Sequence, residues 1–261
     1  MTLARALPSG AAALGGVLAL ASCSGTLPPL RGQIEVGREA YAIVVAGGDP
    51  GGGDLFAVRG SGGPVMPITF SRVGEMRPSL SPDGRRLAFL RGRAVGDSTP
   101  GSAWVMDLLT GGEHEVELPR NAGTPRVVGW SRDGTTLVVA AGAGLYRSAP
   151  AQGAFKGEPV PPPGRATAES SLAVLLGDPV FARVVPCTEP DALCVASDTG
   201  SPGLLAEHAR GAARWGPDSV AFLTGSVIEV RPLGPGRARK IEWSELPGRA
   251  RELTAFAPIG R

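Results

Sequence analysis

The sequence predicts an all-β fold assembled from repeated strand–turn–strand units, and three observations support this prediction. A phrase at Arg77–Leu90 returns at Val128–Ala140, and a shortened copy occupies Ala213–Leu223. Each copy carries an aspartate, and the aspartates are separated by about one and about two periods of 40–50 residues. A period of this length with several strands per repeat is typical of a β-propeller. We expect about five four-stranded blades, or six if the termini supply or complete one, with some blades degenerate.

The candidate strands follow one another with turns rich in glycine and proline between them. Tyr41–Val45 and Asp54–Val58 flank a Gly-rich turn and predict a hairpin. The 39 glycines and 25 prolines fall between such apolar runs, where they indicate turns rather than disorder. No stretch shows sustained helical periodicity with caps, so we expect little helix. Further strands are expected at Leu87–Leu90, Trp104–Leu108, Leu137–Val139, Leu145–Ser148, Leu172–Leu176, Val180–Val185, Ala192–Ala196, Val220–Leu223 and Val227–Val230.

The aspartate of each repeat is interpreted as a structural residue. In a Ser-Pro-Asp-Gly turn the proline fixes φ, the carboxylate accepts backbone N–H groups, and the glycine takes the left-handed conformation. We assign this role to Asp83 with Gly84, to Asp133 with Gly134, and to Asp218. Because a serine and not a glycine follows Asp218, the third hairpin is expected to be tighter or distorted.

The repeated phrase resembles the WD40-like repeats of the TolB family of propellers. The segments that carry the resemblance are Ser81–Gly84, Ser131–Gly134 and Gly216–Ser219, together with Asp107–Gly111 at the end of a later strand. The resemblance covers roughly 200 residues, with two good copies. It implies a propeller that binds and assembles envelope proteins. TolB carries an additional domain ahead of its propeller and is soluble, whereas the blades of this chain follow closely on its N-terminal segment.

The N-terminus has the pattern of an export signal. Arg5 precedes the apolar and small run Ala11–Leu20, which is too short to span a bilayer core. Leu20–Cys23 resembles the lipobox of bacterial lipoproteins, which implies cleavage before Cys23 and its modification with fatty acyl chains such as palmitate. Two or three such chains hold a domain at a membrane surface. Ser24 favours, by the same resemblance, an outer membrane facing the periplasm. The alternative is an ordinary secretory signal with Cys23 left free.

These boundaries predict three regions: a lipoprotein signal peptide at 1–22, a lipidated tether at 23–32 and the β-propeller domain at 33–261. The tether contains two consecutive prolines and is expected to act as a stalk between lipid and domain.

Cysteine usage agrees with an exported protein. Lipidation of Cys23 leaves Cys187 and Cys194, which we expect to be bridged in an oxidising compartment. The alternative is that both are unpaired small apolar residues. Their spacing is not C-x-x-C and no histidine is nearby, so redox catalysis and metal binding are not expected.

Composition and motifs argue against several function classes. The formal net charge is only +2, with no basic stripe to neutralise phosphates, so a nucleic-acid partner is not expected. The two histidines, His114 and His208, lie in polar segments and are expected at the surface. No hydrolase elbow and no phosphate-binding glycine motif occurs, so we assign no catalytic residue, no metal and no cofactor.

The four tryptophans divide into three repeat residues and one other. Trp104, Trp130 and Trp215 are expected in the blade core or between blades. Trp243 lies outside the phrase and is the candidate binding aromatic. The expected function is a lipid-anchored envelope scaffold that binds protein partners at one mouth of the ring. A glycan- or peptidoglycan-binding propeller and a propeller hydrolase or lyase are the alternatives.

Overall fold

Five β-sheets make up the part of the chain that the computed structural model describes, which is residue 30 and residues 32–47, 53–95, 99–151, 154–160, 184–189, 191–195 and 203–258. These residues contain no helix, and hence no helix of a length and hydropathy that could cross a membrane. The predicted signal peptide, Cys23 and the strand expected at Leu172–Leu176 lie outside the described residues, as does most of the strand expected at Val180–Val185.

The strands are short and agree closely with those expected from the sequence. In chain order they are β1 (Tyr41–Ala46), β2 (Asp54–Arg59), β3 (Gly63–Pro64), β4 (Met66–Pro67), β5 (Glu75–Leu80), β6 (Arg86–Gly92), β7 (Pro100–Asp107), β8 (Glu113–Glu117), β9 (Pro125–Trp130), β10 (Leu137–Ala141), β11 (Gly144–Ser148), β12 (Pro150–Ala151), β13 (Ala154–Lys156), β14 (Glu158–Val160), β15 (Val184–Pro186), β16 (Leu193–Val195), β17 (Gly203–Ala206), β18 (Ala209–Trp215), β19 (Ser219–Thr224), β20 (Val227–Pro232), β21 (Arg239–Ser244) and β22 (Glu252–Phe256).

The sheets follow the order of the repeats and form a propeller-like arrangement. Sheet I is β22-β1-β2-β4, sheet II is β12-β13-β8-β7-β6-β5, and sheet III is β14-β11-β10-β9. Sheet IV is β15-β16-β17, and sheet V is β18-β19-β20-β21-β3. Sheets IV, V, I, II and III pack face to face in that order, and the link between sheets III and IV falls on residues outside the described ones. Four of the five sheets have at least four strands, as expected for blades.

The two ends of the domain complete one sheet together. Strand β22 pairs antiparallel with β1, with Tyr41 opposite Phe256 and Val45 opposite Glu252. The late strand therefore supplies one strand of the first sheet, which ties the beginning of the ring to its end. This pairing covers the edge of β1, and β22 takes the edge position of the sheet in its place.

The core lies between neighbouring sheets, because each sheet buries both of its faces. Strand β1 shows this directly, since every one of its residues is buried. Tyr41, Ile43 and Val45 contact the cluster shared with sheet II, while Ala42 and Val44 contact the cluster shared with sheet V. The period-two alternation of a strand thus divides β1 between two cores. A strand buried on both sides reads as a continuous apolar run, as this one does.

Strands β5, β9, β18 and β22 form the inner layer, because they contact one another across the sheet boundaries. They all run in the same direction. The backbone N–H of Arg77 in β5 donates to the Glu252 carboxylate of β22. The backbone N–H of Leu80, later in β5, donates to the Thr254 hydroxyl, later in β22. Trp130, at the end of β9, donates through its indole N–H to the Ser79 carbonyl near the end of β5. Strand β18 likewise runs parallel to β22. We call the end where these four strands begin the entry mouth and the end where they finish the turn end.

The beginning of the described chain belongs to the packed domain. Leu30, which falls within the predicted tether, is buried together with Ile34 in the core between sheets I and II. Its carbonyl accepts the backbone N–H groups of Gln33 and Ile34, each at 2.9 Å. The described part of the predicted tether therefore packs against the domain beside the first sheet.

Candidate functional site

The repeat aspartates lie at the turn end, where they hold the hairpins. The Ser81 hydroxyl donates to Asp83 Oδ1 at 2.6 Å and accepts the Arg86 N–H at 2.9 Å. Gly84 follows with a φ of 66°, which only glycine adopts without strain. The serine and the aspartate of the turn are thus hydrogen-bonded within the hairpin itself.

The second copy repeats this network. The Ser131 hydroxyl donates to Asp133 Oδ1 at 2.6 Å and accepts the Thr136 N–H at 3.0 Å, and Gly134 has a φ of 71°. The hydrogen bond from Ser131, followed by those from Thr135, lowers the pKa of Asp133 below its usual value. Such bonds favour the charged form of a carboxylate.

The third hairpin is tighter than the other two. In the first two hairpins, the turn between the last paired residues is long and consists of residues 81–86 and 131–136. In the third hairpin, Trp215 pairs with Ser219 across residues 216–218 alone. The left-handed position moves to Gly216, with a φ of 68°, and Asp218 Oδ1 accepts the Ser219 hydroxyl at 3.3 Å. The lost glycine after Asp218 is therefore compensated by one before it.

The repeat tryptophans pack the sheets together. Trp130 is buried, donates through Nε1 to the Ser79 carbonyl of sheet II at 3.1 Å, and lies under the Arg86 guanidinium, 4.5 Å from the ring centroid. Trp215 is also buried. Trp243, the candidate binding aromatic, lies on β21 in sheet V and packs in part against the core shared with sheet I. The structure places Trp243 away from the four inner strands, and its binding role remains a prediction.

The entry mouth differs from the turn end because each of three inner strands has a bulge there with an arginine at or beside it. The ladder of β5 skips Arg77 and Pro78, that of β9 skips Arg126, and that of β18 skips the residue after Arg210. A bulge leaves residues unpaired, redirects their side chains and is frequent beside binding sites. The three bulges therefore set arginines at one end of the inner layer.

Arg77 has the least ordinary backbone of the three. Its φ is 51°, in the left-handed region, and its side chain is exposed. Its backbone N–H donates to the Glu252 carboxylate of β22, while its guanidinium has no hydrogen bond or ion pair with another described residue. A non-glycine residue in this conformation costs of order 1–3 kcal/mol, and such strain clusters at functional sites.

The other two arginines differ in their partners. Arg126 is exposed, and its guanidinium contacts no partner among the residues that the structure describes. Arg210 forms an ion pair with Asp191 at 3.3 Å, so part of its charge is neutralised. Two guanidinium groups on neighbouring inner strands are therefore without an ion-pair partner among the described residues, which is an arrangement that can hold an anionic group.

The link between sheets I and II, residues 68–74, borders the same mouth. Its Thr69 hydroxyl donates to Glu75 Oε2 at 3.0 Å and accepts the Leu55 N–H at 2.9 Å. Phe70, next to it, is an exposed large apolar residue at 64% exposure. Arg72 on the same link is exposed. The link therefore holds an apolar and a cationic side chain at the mouth.

Glu75 is a fully buried carboxylate at the start of β5. Its Oε1 lies 3.2 Å from the Arg91 guanidinium, which also contacts Glu113 Oε2 at 3.0 Å. Burial raises the pKa of Glu75 to about 7, even though Arg91 and the Thr69 hydroxyl act to lower it and Asp54 raises it further. Burial likewise raises the pKa of Asp54. Glu75, a buried acid whose charge changes near neutral pH, therefore lies beside the entry mouth.

A groove of about 970 Å³ runs along β8 on the outer part of sheet II. Trp104, His114 and Phe155 line it, together with the alternating carboxylates Glu113, Glu115 and Glu117. One face of Trp104 is covered by the Arg91 guanidinium, 4.5 Å from the ring centroid. The groove therefore joins a repeat tryptophan with acidic groups, and it reaches Pro125 at the start of β9.

Cys187 and Cys194 are joined by a disulfide, as expected, with their Cα atoms 5.3 Å apart. The bond closes the β15–β16 hairpin, which also has the Cys187 N–H donated to the Ala192 carbonyl at 3.0 Å. His114 and His208 are both exposed. Among the described residues no three His, Cys, Asp or Glu side chains come together as metal ligands.

The bulge arginines were missed by the sequence analysis, although a signal for them exists. An arginine precedes each repeat aspartate by six to eight residues: Arg77, Arg126 and Arg210. The drift in spacing hides this recurrence, because each strand is bulged at a slightly different place. Glu75 gives no local signal, since its burial depends on a link and a strand contributed by other parts of the chain.

No family model matches the chain, and no curated protein matches it. Solved structures similar to it include TolB from Acinetobacter baumannii, at 13% identity and a TM-score of 0.43 over 83% of this chain and 66% of that one. The nidogen/laminin complex matches at 8% identity and a TM-score of 0.45, over 85% and 99% of the two chains. A putative 6-phosphogluconolactonase from Bacteroides uniformis matches at 15% and 0.34, over 78% and 67%.

A TolB structure is thus among the neighbours, as the resemblance of the repeats led us to expect. This chain spans just under two thirds of the length of that TolB chain. Because all three TM-scores lie below 0.5, the function proposed next rests on the residues and geometry of this chain.

Proposed function

We propose that this protein is a lipid-anchored cell-envelope β-propeller, of about five blades or six, that binds a partner protein at the entry mouth. It acts as an assembly scaffold without chemistry of its own. The lipid on Cys23 holds the protein at a membrane. If the cell has an outer membrane, the protein is anchored to that membrane and faces the periplasm.

The observation that carries the proposal is the pair of bulges at the entry mouth, which release Arg77 and Arg126 from their strand ladders near the exposed Phe70. At the turn end, Asp83 and Asp133 are occupied by hydrogen bonds within their own turns. At the entry mouth, Arg77 and Arg126 are exposed without a partner among the described residues, and Phe70 exposes an aromatic ring. Exposed apolar and arginine side chains that serve no internal packing are typical of protein-binding surfaces.

Site-specific photocrosslinking in cells tests where the partner binds. A photoreactive amino acid at Phe70 or at Arg72 reports on the entry mouth, and the same amino acid at Pro82 or Arg132 reports on the turn end. All four positions are exposed, so the insertions are matched. We expect one recurrent envelope protein crosslinked from the entry positions alone. Equal crosslinking from the turn end, or none from the entry mouth, contradicts the proposal.

The lipid anchor has a separate test. Metabolic labelling with a clickable palmitate analogue is expected to label the wild-type protein and to leave Cys23→Ser unlabelled. The variant is also expected to lose its partition into the detergent phase, because acyl chains supply the membrane affinity. Equal labelling of both proteins removes the lipoprotein assignment and leaves the mouth unaffected.

The groove along β8 favours a second candidate function, glycan binding. Aromatic rings beside carboxylates are the groups expected of such a site, and Trp104 and Glu115 lie in one groove. Binding of purified peptidoglycan fragments by the wild-type protein, abolished in Trp104→Ala and unchanged by changes at the entry mouth, supports this candidate. Absence of binding removes it.

A further inference from the structure

We propose that the entry mouth takes an acidic, extended segment of the partner protein, held by Arg77 and Arg126. This inference rests on the function proposed above and adds the chemistry of the ligand. It follows from the placement of the two arginines, from the backbone conformation of Arg77 and from the charge chemistry of the described residues around them.

The placement of the two arginines is the first step. Strands β5 and β9 are neighbours in the inner layer and run in the same direction, as the bond from Trp130 to Ser79 shows. Arg77 and Arg126 both lie near the start of their strands, at bulges that release them from the ladder. Two guanidinium groups are therefore presented at the same end of adjacent strands, where carboxylates of one segment can reach both.

The conformation of Arg77 is the second step. Its backbone is left-handed although the residue is not a glycine. Because the side chain is exposed, packing of the side chain does not account for this conformation. The Glu252 carboxylate accepts its backbone N–H and so fixes this conformation from the neighbouring strand. The carboxylate is engaged with backbone rather than with the guanidinium. A strained residue that is held by a dedicated contact, and whose charge is unpaired among the described residues, indicates a ligand-binding role.

The chemistry of the ligand is the third step. Guanidinium groups bind carboxylates by paired, charge-assisted hydrogen bonds. Glu75 forms its ion pair with Arg91, and Asp191 forms its ion pair with Arg210. The Glu252 carboxylate lies beside Arg77 but accepts its backbone N–H. Among the described residues, no acid is ion-paired with the guanidinium of Arg77 or Arg126. Phe70 on the adjoining link supplies an apolar contact beside the cations. The complementary ligand is a stretch of Asp or Glu residues with an apolar side chain near it.

An acidic peptide is favoured over an anionic membrane surface by the position of the arginines. They lie on the strands of the inner layer, which a slender extended chain can approach and a flat bilayer cannot.

Fluorescence anisotropy of the full lipidated protein in nonionic detergent tests the inference. The probes are a labelled decapeptide of glutamate interrupted by one leucine and the matching glutamine peptide. The protein variants are Arg77→Gln with Arg126→Gln, and the control Arg85→Gln with Arg132→Gln. The control removes two exposed arginines from the turn end and so makes the same change in net charge.

We expect the wild-type protein and the control to bind the glutamate peptide, and the glutamine peptide to bind at least about tenfold more weakly. The mouth variant is expected to lose about tenfold or more in affinity, and added salt is expected to weaken wild-type binding. Equal affinity of the mouth variant and the control for the glutamate peptide overturns the inference, as does absence of wild-type binding at low salt. Binding to phosphatidylglycerol vesicles that depends on Arg77, without peptide binding, also overturns it.

The failure of this inference is distinguishable from failure of the proposed function. If crosslinking from Phe70 still captures a partner while the glutamate peptide does not bind, the mouth is a protein-binding site with a different chemistry. If the crosslink is absent as well, both proposals fall.

Discussion

Replacing Glu75 by glutamine is expected to remove a large part of the pH dependence of stability. Glu75 is fully buried, and its pKa is raised from 4.5 to about 7. The folded protein therefore binds this proton more tightly than the unfolded chain does. It follows that the contribution of Glu75 to the unfolding free energy is most favourable below about pH 4.5 and declines as the pH rises through about 7.

The magnitude follows from the size of the pKa shift. A change from 4.5 to about 7 corresponds to about 3 kcal/mol between the two extremes. A stability of 5–15 kcal/mol is usual for a domain, so this loss is large enough to measure. Glutamine keeps the shape of the side chain and cannot ionise, so Glu75→Gln is expected to flatten the dependence by about this amount.

Urea unfolding between pH 5 and pH 8, followed by tryptophan fluorescence, measures the effect. The control is Glu113→Gln, which makes the same chemical change at the other carboxylate that contacts Arg91. We expect the control to keep the wild-type slope of unfolding free energy against pH. The reasoning is refuted if Glu75→Gln has the same slope as the wild-type protein, because the buried carboxyl would then not titrate in this range.

Two further predictions concern stability. Gly84→Ala is expected to lower the free energy of unfolding in urea by about 1–3 kcal/mol more than Gly225→Ala does. Both glycines have a positive φ, but a new Cβ at Gly84 alone meets a side chain, the Phe256 ring, at 2.6 Å. Equal losses in the two variants show that the ring moves aside freely. Replacing Cys187 and Cys194 together by serine is expected to lower the unfolding free energy by about 2–3 kcal/mol, as closure of a short loop implies. An unchanged unfolding midpoint in the serine variant contradicts a stabilising role for the bridge.

Local features of the fold could be read from the sequence. The hairpin of Tyr41–Val45 and Asp54–Val58 is confirmed as β1 and β2, because glycine-rich turns between alternating apolar runs specify pairing nearby in the chain. Leu80, Trp130 and Trp215 hold the same place in each copy of the phrase, and all three are buried. A repeat makes such a prediction strong, since each copy solves the same packing problem.

Features that depend on distant parts of the chain could not be read. Strand β13 pairs parallel with β8 of the preceding repeat, and β3 pairs parallel with β21 near the other end. These short strands carry no apolar alternation of their own. Their positions are fixed by the sheet edges available after the neighbours have packed, which no local pattern encodes.

For the candidate site, the sequence predicted only that a partner binds at one mouth of the propeller. Propeller geometry implied that loops at one end would be available for binding, but it did not say which end. The choice depends on bulges that free Arg77 and Arg126 and on the turn networks that occupy Asp83 and Asp133. Bulges arise from the pairing of two strands, so a single strand sequence does not show them.

The pairing of β1 with β22 also determines the order in which the domain can assemble. Tyr41 reaches its neighbour Phe256 only after the intervening sheets have been made. Contacts between residues so far apart in the chain form slowly, because a long loop must be closed before they contribute stability. The first strand of the domain therefore has one side without a partner until β22, the last strand of the described chain, has folded against it. A chain that lacks β22 is expected to leave the edge of β1 open to pairing with a strand of another chain.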